Sequence, residues 1–292
     1  MNIRFFIFCL CISGGLYAQP FFDLIRFNVN IIPIEKSQYF EQRLQINFPI
    51  NPDGKHKIIL GFEGRKASFN LDNENANTFA PDALDLSPIT NPLYDYSFYL
   101  ACNYKINEKW ESYLRLTPRW RYQGENNSDD SFQPGFLSIS SYKKSNRLQY
   151  KFGVYYNKEE FGNFIIPLLG VDYHISDRWR LYLIAPSYSR IQYSLVPKKW
   201  FTGLAHFSPI SSYKGPFQES DYVRNDQILI YGFLERDFMK NSSLILQMGY
   251  TAKHKFTTYN VNDPFNSGLQ TYEAFYSNTF YASLGVAIRF RK

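Results

Sequence analysis

The chain has 292 residues, a formal net charge of +6, three cysteines, and 24 Tyr, 27 Phe and 4 Trp, so rings make up 19% of it; its mean hydropathy is nevertheless −0.36. Disordered chains are poor in aromatic and β-branched residues, so this composition excludes disorder. Beyond residue 18 no apolar run approaches the roughly 20 residues that a membrane-crossing helix needs, which leaves a soluble globular protein or a β-barrel that crosses a membrane.

Residues 1–18 combine Arg4, the apolar stretch from Phe5 to Ile12 and a small residue, Ala18, before Gln19. These are the parts of a secretory signal peptide. Cleavage after Ala18 removes Cys9, Cys11 and one positive charge. Cys102 is then the single cysteine of the mature chain, so an internal disulfide is not possible. Residues 19–292 read as one barrel domain, without a linker, a low-complexity run or a second domain.

In chain order the strand-like segments are 22–34, 38–50, 55–69, 93–106, 109–122, 134–143, 147–157, 163–175, 178–186, 190–196, 200–208, 223–238, 243–257 and 277–291. That makes about 14 strands, or 12 if 178–196 is one bent strand and a loop. Short turns fall at 51–54, 107–108, 144–146, 176–177, 197–199 and 240–242, and longer polar loops near 70–92, 123–134, 157–163, 209–222 and 258–276. Two more short turns, at 35–37 and 186–189, sit at the loop end. Short turns at one end and longer loops at the other are the pattern of outer-membrane barrels, and an even strand count puts both termini at the turn end.

Period-two alternation is clearest in six segments: Phe40 to Ile50, Tyr94 to Ile106, Trp110 to Tyr122, Leu148 to Tyr156, Leu244 to Phe256 and Phe280 to Phe290. In each, one phase is apolar and free of Asp, Glu, Lys and Arg, while the other carries Arg or Lys. A soluble sandwich seldom places Arg repeatedly on an inward face. A closed barrel in lipid accounts for both phases, with apolar residues toward the acyl chains and polar ones toward a wet interior. The expected fold class is therefore all-β, a transmembrane antiparallel up-and-down β-barrel. Trp110 and Trp179 follow short turns and Trp120 adjoins a long loop, which expects indoles at both membrane interfaces.

The signal peptide, Leu44-Gln45-Ile46-Asn47-Phe48-Pro49-Ile50 running into a turn, the stretch Lys55 to Phe69, and Gly285-Val286-Ala287-Ile288-Arg289-Phe290 resemble a family of uncharacterised Gram-negative outer-membrane β-barrels, a domain of unknown function. The likeness covers nearly the whole mature chain, and its motifs are patterns of alternation. It departs at the end, where Phe290 is followed by Arg291 and Lys292. The resemblance implies an integral outer-membrane location and supplies no active site. That location makes outer-membrane lipids, lipopolysaccharide and the barrel assembly machinery the expected partners.

The inward phase of the six segments carries Arg43, Lys105, Arg115, Arg119, Arg121, Arg147, Lys151, Lys253, Lys255, Arg289 and Arg291, against Glu41, Asp95 and Glu111. Low-dielectric walls around an aqueous bore focus such an excess, so small anionic solutes are the expected cargo of a small anion-preferring pore or passive transporter. The alternative is a structural barrel whose lumen these side chains fill; the width at Arg115, Arg119 and Arg121 separates the two. An enzymatic alternative rests on His206-Phe207-Ser208 with Asn225, similar to the His-x-Ser plus Asn arrangement of outer-membrane phospholipase A. Here Ser208 is followed by Pro209-Ile210 rather than Asn-Gly. Asp172 and His174, two residues apart on one strand face, could form an acid and base, or an interior hydrogen-bonded pair. His56, His174, His206 and His254 are scattered, which gives no metal site, and no cofactor is expected. The basic residues alternate within strands instead of clustering on an exposed face, so nucleic acid is not an expected partner.

Overall fold

The structure, a computed structural model, describes residues 22–34, 37–50, 56–71, 91–124, 131–197, 199–215, 222–239, 241–260, 269–276 and 278–290. The expected signal peptide and Arg291 lie outside these residues. Sixteen strands follow in order: β1 (Phe22–Ile34), β2 (Ser37–Pro49), β3 (His56–Leu71), β4 (Leu93–Lys105), β5 (Trp110–Gln123), β6 (Phe132–Lys143), β7 (Leu148–Glu159), β8 (Gly162–His174), β9 (Trp179–Ala185), β10 (Tyr188–Val196), β11 (Trp200–Phe207), β12 (Ile210–Lys214), β13 (Tyr222–Met239), β14 (Ser242–Asn260), β15 (Leu269–Tyr276) and β16 (Thr279–Phe290).

Each of β1 to β10 pairs with the next; β11 then pairs with β13, β13 with β14, β14 with β16, and β16 with β1. The result is a closed antiparallel ring of 14 strands, and its members are the 14 segments expected from alternation. The ring keeps both β9 and β10, joined as an antiparallel hairpin, so the twelve-strand option does not apply. Two strands arise inside expected loops. β15 pairs with the far end of β14 and extends the wall above β16. β12 pairs with the start of β13.

The ring is polar inside and apolar outside, which is the reverse of a soluble protein. In β16 the outward Leu284 is 55% exposed, whereas the inward Arg289 is 1% exposed. The same alternation runs through Phe98, Leu116, Phe152, Leu169, Leu204 and Met248, all exposed. Aromatic side chains gather at both ends of this band. Trp110 packs on Tyr142 with ring centroids 5.0 Å apart and Trp179 on Tyr193 at 4.8 Å, both next to short turns. Trp120 meets Phe132 at 5.3 Å near the loop end. Replacing Leu284 with Arg is expected to cost about 2–4 kcal/mol, because the charge would sit among acyl chains near mid-strand. Urea unfolding in lipid vesicles measures this, and an unchanged midpoint would show that the band does not contact lipid.

One register shift alters a sequence expectation. Leu229 pairs with Thr251 and Ile228 with Lys253, so Ala252 is an extra residue. An extra residue turns every later side chain of a strand to the other face. Alternation alone carries the outward phase of β14 from Leu244 through Phe256. Beyond the bulge, His254 and Phe256 instead point inward, both fully buried, and Lys253 and Lys255 share the outer face with Asp226.

The wall is uneven in height. β8 pairs with β9 only from Leu169 onward, so among the described residues Gly162–Leu168 are paired on the β7 side alone. β11 ends at Phe207 opposite Leu229, and above that point β13 takes β12 as its neighbour. The other edge of β12 reaches β5 through one parallel bridge, Lys214 to Tyr122. At the loop end the sheet therefore takes a short cut from β13 to β5, crossing over the interior.

Candidate functional site

A cavity of about 550 Å³ lies inside the barrel. Its two sides differ in chemistry because the strands that build them differ in their inward residues. β1 to β5 contribute charged and amide groups, among them Arg43, Glu63, Arg65, Asp95 and Arg119. β6 to β10 contribute Leu137, Ile139, Ile166, Leu168, Tyr182 and Ile184, which pack together as one apolar cluster.

On the charged side, neighbouring strands hand carboxylates to guanidinium groups. Arg43 donates to Glu63 at 2.9 Å and Arg65 to Asp95 at 3.1 Å. Arg121 donates to Asp95 at 2.8 Å and to Glu159 at 3.1 Å. Arg115 and Arg119 differ. Among the described residues neither has a carboxylate within ion-pair distance; Arg115 donates to Thr117 at 3.1 Å and Arg119 to Tyr155 at 3.2 Å. The Arg115 guanidinium lies 3.8 Å above the Tyr99 ring. Tyr99 can lie flat there because its other face covers Gly61, where any Cβ would collide with the ring. Gly61 thus fixes the plane on which Arg115 rests.

The cavity is bounded at both ends. At the loop end, β12 is pinned across the interior: Glu159 accepts from the Ser212 amide at 2.8 Å and its hydroxyl at 2.6 Å, and Gln133 donates to the Ser212 carbonyl at 3.1 Å. The next residue, Tyr213, hydrogen-bonds Arg65 and is overlaid by the Arg65 and Arg121 guanidinium groups. At the turn end, Arg289 donates to Asp23 and to Glu235, both at 2.8 Å, and Arg190 donates to Glu235 at 2.9 Å. This chain ties β1, β10, β13 and β16 together across the bore.

The structure sorts the basic residues expected in the lumen. Arg43, Arg115, Arg119, Arg121 and Arg289 line the cavity. Lys151 is interior as well, 2% exposed and donating to Ser141 at 3.2 Å. Lys105 and Arg147 are exposed at the turn end, where Arg147 approaches Asp177 at 3.7 Å. Lys253 and Lys255 occupy the outer face beyond the bulge. Arg26, Arg65 and Arg190 also line the cavity; their strands were not among the six with clean alternation. An Arg in the inward phase of 22–34, 55–69 and 190–196 was the signal available.

The candidate hydrolase residues are not assembled. His206 lies opposite Ile230 and shares its face with the exposed Leu204, whereas Ser208 lines the cavity and Asn225 sits opposite Ser211. Asp172 is held by Arg180 through two hydrogen bonds, at 2.8 and 2.7 Å, with His174 4.0 Å away. An interior ion pair accounts for it.

A closed ring with apolar side chains outside and an arginine-rich cavity inside is a transmembrane, porin-like β-barrel. No family model matches the chain, and no curated protein matches it. Among solved structures it is similar to the NanC porin, at 10% identity over 90% of this chain and 98% of that one, with a TM-score of 0.39. It is likewise similar to an outer membrane channel from Pseudomonas putida F1, at 10% identity over 96% and 100% of the two chains and a TM-score of 0.45. The deltaS2 mutant of the TodX monoaromatic hydrocarbon channel gives 10% identity, 96% and 93% coverage and a TM-score of 0.45.

Proposed function

We propose that the protein is an integral outer-membrane barrel of a Gram-negative envelope, exported by its signal peptide, that lets small anionic solutes cross passively. On this reading it belongs with the uncharacterised outer-membrane barrels it resembles, sits among outer-membrane lipids and lipopolysaccharide after insertion by the barrel assembly machinery, and has no catalytic role. The observation that carries the reading is the cavity lining: eight arginines against four carboxylates, Asp23, Glu41, Glu63 and Asp95. Guanidinium groups stay charged at any physiological pH, and a low-dielectric wall concentrates counter-ions of opposite sign.

In a planar bilayer with a potassium chloride gradient, the reversal potential is expected on the chloride side. Replacing Arg115 and Arg119 with Ala should move it toward zero, because these are the guanidinium groups with no carboxylate partner among the described residues. Cation preference in the unmodified barrel would refute the reading. A second reading, a structural barrel with a filled lumen, is favoured by β12 lying across the loop end; the absence of any current, with folding verified, would establish it.

A further inference from the structure

We infer that the cavity takes amphipathic monoanions, a carboxylate or sulfonate head on an apolar chain or ring, and that they pass between the cavity and the surrounding lipid through a gap in the wall between β8 and β12. This rests on the anion-passing reading above and names its substrate class.

Strand pairing locates the gap. Among the described residues, Gly162–Leu168 of β8 have no partner on the β9 side, because β9 to β11 are short. Across the gap, β11 stops at Phe207 and the chain turns into β12, which leans toward β5. Above, Phe161 touches Arg224 of β13, its guanidinium 4.7 Å from the ring. Below lies the turn from β9 to β10. The described residues thus frame an opening within the wall, beneath a rim that is closed by contact.

The gap leads to the cavity and is apolar on both margins. Ile166 and Leu168 on one side and Phe207, Pro209 and Ile210 on the other all line the same cavity as the arginines. Just outside, Ile165 and Leu169 are each 63% exposed on the lipid-facing surface. Backbone groups along an unpaired strand edge are costly next to lipid, so an edge retained there, between apolar margins, marks a functional opening. Across the cavity stand Arg115 and Arg119, whose planar donors suit a carboxylate or sulfonate. A volume of about 550 Å³ falls within the few hundred to a thousand Å³ typical of small-molecule sites. A hydrophilic anion would use only the arginine side and a hydrocarbon only the other. A molecule with both parts matches the two walls and the apolar gap together.

The test uses decanesulfonate, which stays ionised and so crosses bare lipid slowly, with methanesulfonate and decanol as controls. Titration calorimetry on the full barrel in lipid nanodiscs, against empty nanodiscs, should show decanesulfonate binding at least about tenfold more tightly than either control. Replacing Arg115 and Arg119 with Gln should abolish its advantage over decanol. A second variant, Ile166→Trp with Ile210→Trp, narrows the gap and should lower the ratio of decanesulfonate to chloride flux in proteoliposomes about tenfold, with folding verified by strand circular dichroism. Equal binding of the long and short sulfonates, or an unchanged flux ratio in the tryptophan variant, would overturn this inference and leave the anion pore standing. Absence of both chloride current and sulfonate binding would overturn the two together.

Discussion

A barrel carrying Ser212→Ala and Tyr213→Ala is expected to conduct roughly three times the current of the unmodified protein, since a pore's narrowest point sets its resistance. β12 is five residues long and is attached to the opposite wall through these two side chains and the backbone of Ser212. The Ser212 hydroxyl donates to Glu159 at 2.6 Å and accepts from the Glu160 amide at 2.8 Å. The Tyr213 ring fills the space beneath two guanidinium groups and is only 1% exposed. Removing both side chains leaves β12 attached to β13 by its ladder, to β5 by one bridge, and to Glu159 and Gln133 through the Ser212 backbone alone. Single-channel recording checks the result. Unchanged conductance would mean that the narrowest point lies elsewhere, with the Arg190–Glu235–Arg289 chain at the turn end the place to look.

The largest loss of stability is expected from Glu235→Ala. Glu235 is fully buried and receives both Arg190 and Arg289 at 2.8–2.9 Å. Its removal leaves Arg190 with no carboxylate partner among the described residues, beside an Arg289 that still pairs with Asp23. Breaking a buried charge pair by deleting one partner typically costs about 3–5 kcal/mol, mostly through the charge left uncompensated. Glu235→Gln should cost less, because its side-chain oxygen still accepts one hydrogen bond. Urea titration in micelles followed by tryptophan fluorescence measures both. A loss below about 1 kcal/mol for the alanine variant would mean that water reaches the two arginines and that the turn end is open.

The wall was legible in the sequence because lipid imposes a strict rule on one face. A charged residue among acyl chains is penalised at each outward position, so the outward phase of Phe98, Leu100 and Leu116 stays apolar without help from any particular neighbour. β12 obeys no such rule. Ile210-Ser211-Ser212-Tyr213-Lys214 lies inside the molecule, with the last four residues buried on either face, so it shows no alternation and reads as a polar loop. Lys253 and Lys255 were misplaced by one bulged residue, which pairing reveals and composition does not. The charged wall was half legible: Arg115, Arg119 and Arg121 announce themselves by spacing within one strand, but Arg65 meets Asp95 across 30 residues and Tyr213 across 148. Whether an inward arginine is spent on a carboxylate depends on such distant partners. Hence the excess of arginine over acid in the lining could be anticipated, but not which two of its arginines have no carboxylate partner among the described residues.

The junction of β1 with β16 has a consequence for how the barrel comes into being. It matches Phe22 with Phe290 and Asn28 with Gly285, and is buttressed by Arg289 on Asp23, residues 266 apart. The other wall junctions, except that from β11 past β12 to β13 and that from β14 past β15 to β16, join strands consecutive in sequence and can form as local hairpins. This one needs both ends of the chain at once, and bringing together such distant segments is the entropically slow step of folding. Until it forms, β1 and β16 each present an open edge to the membrane or to another chain. Closure of the ring is therefore the wall junction with the greatest separation in sequence, and the Asp23–Arg289 pair spans it.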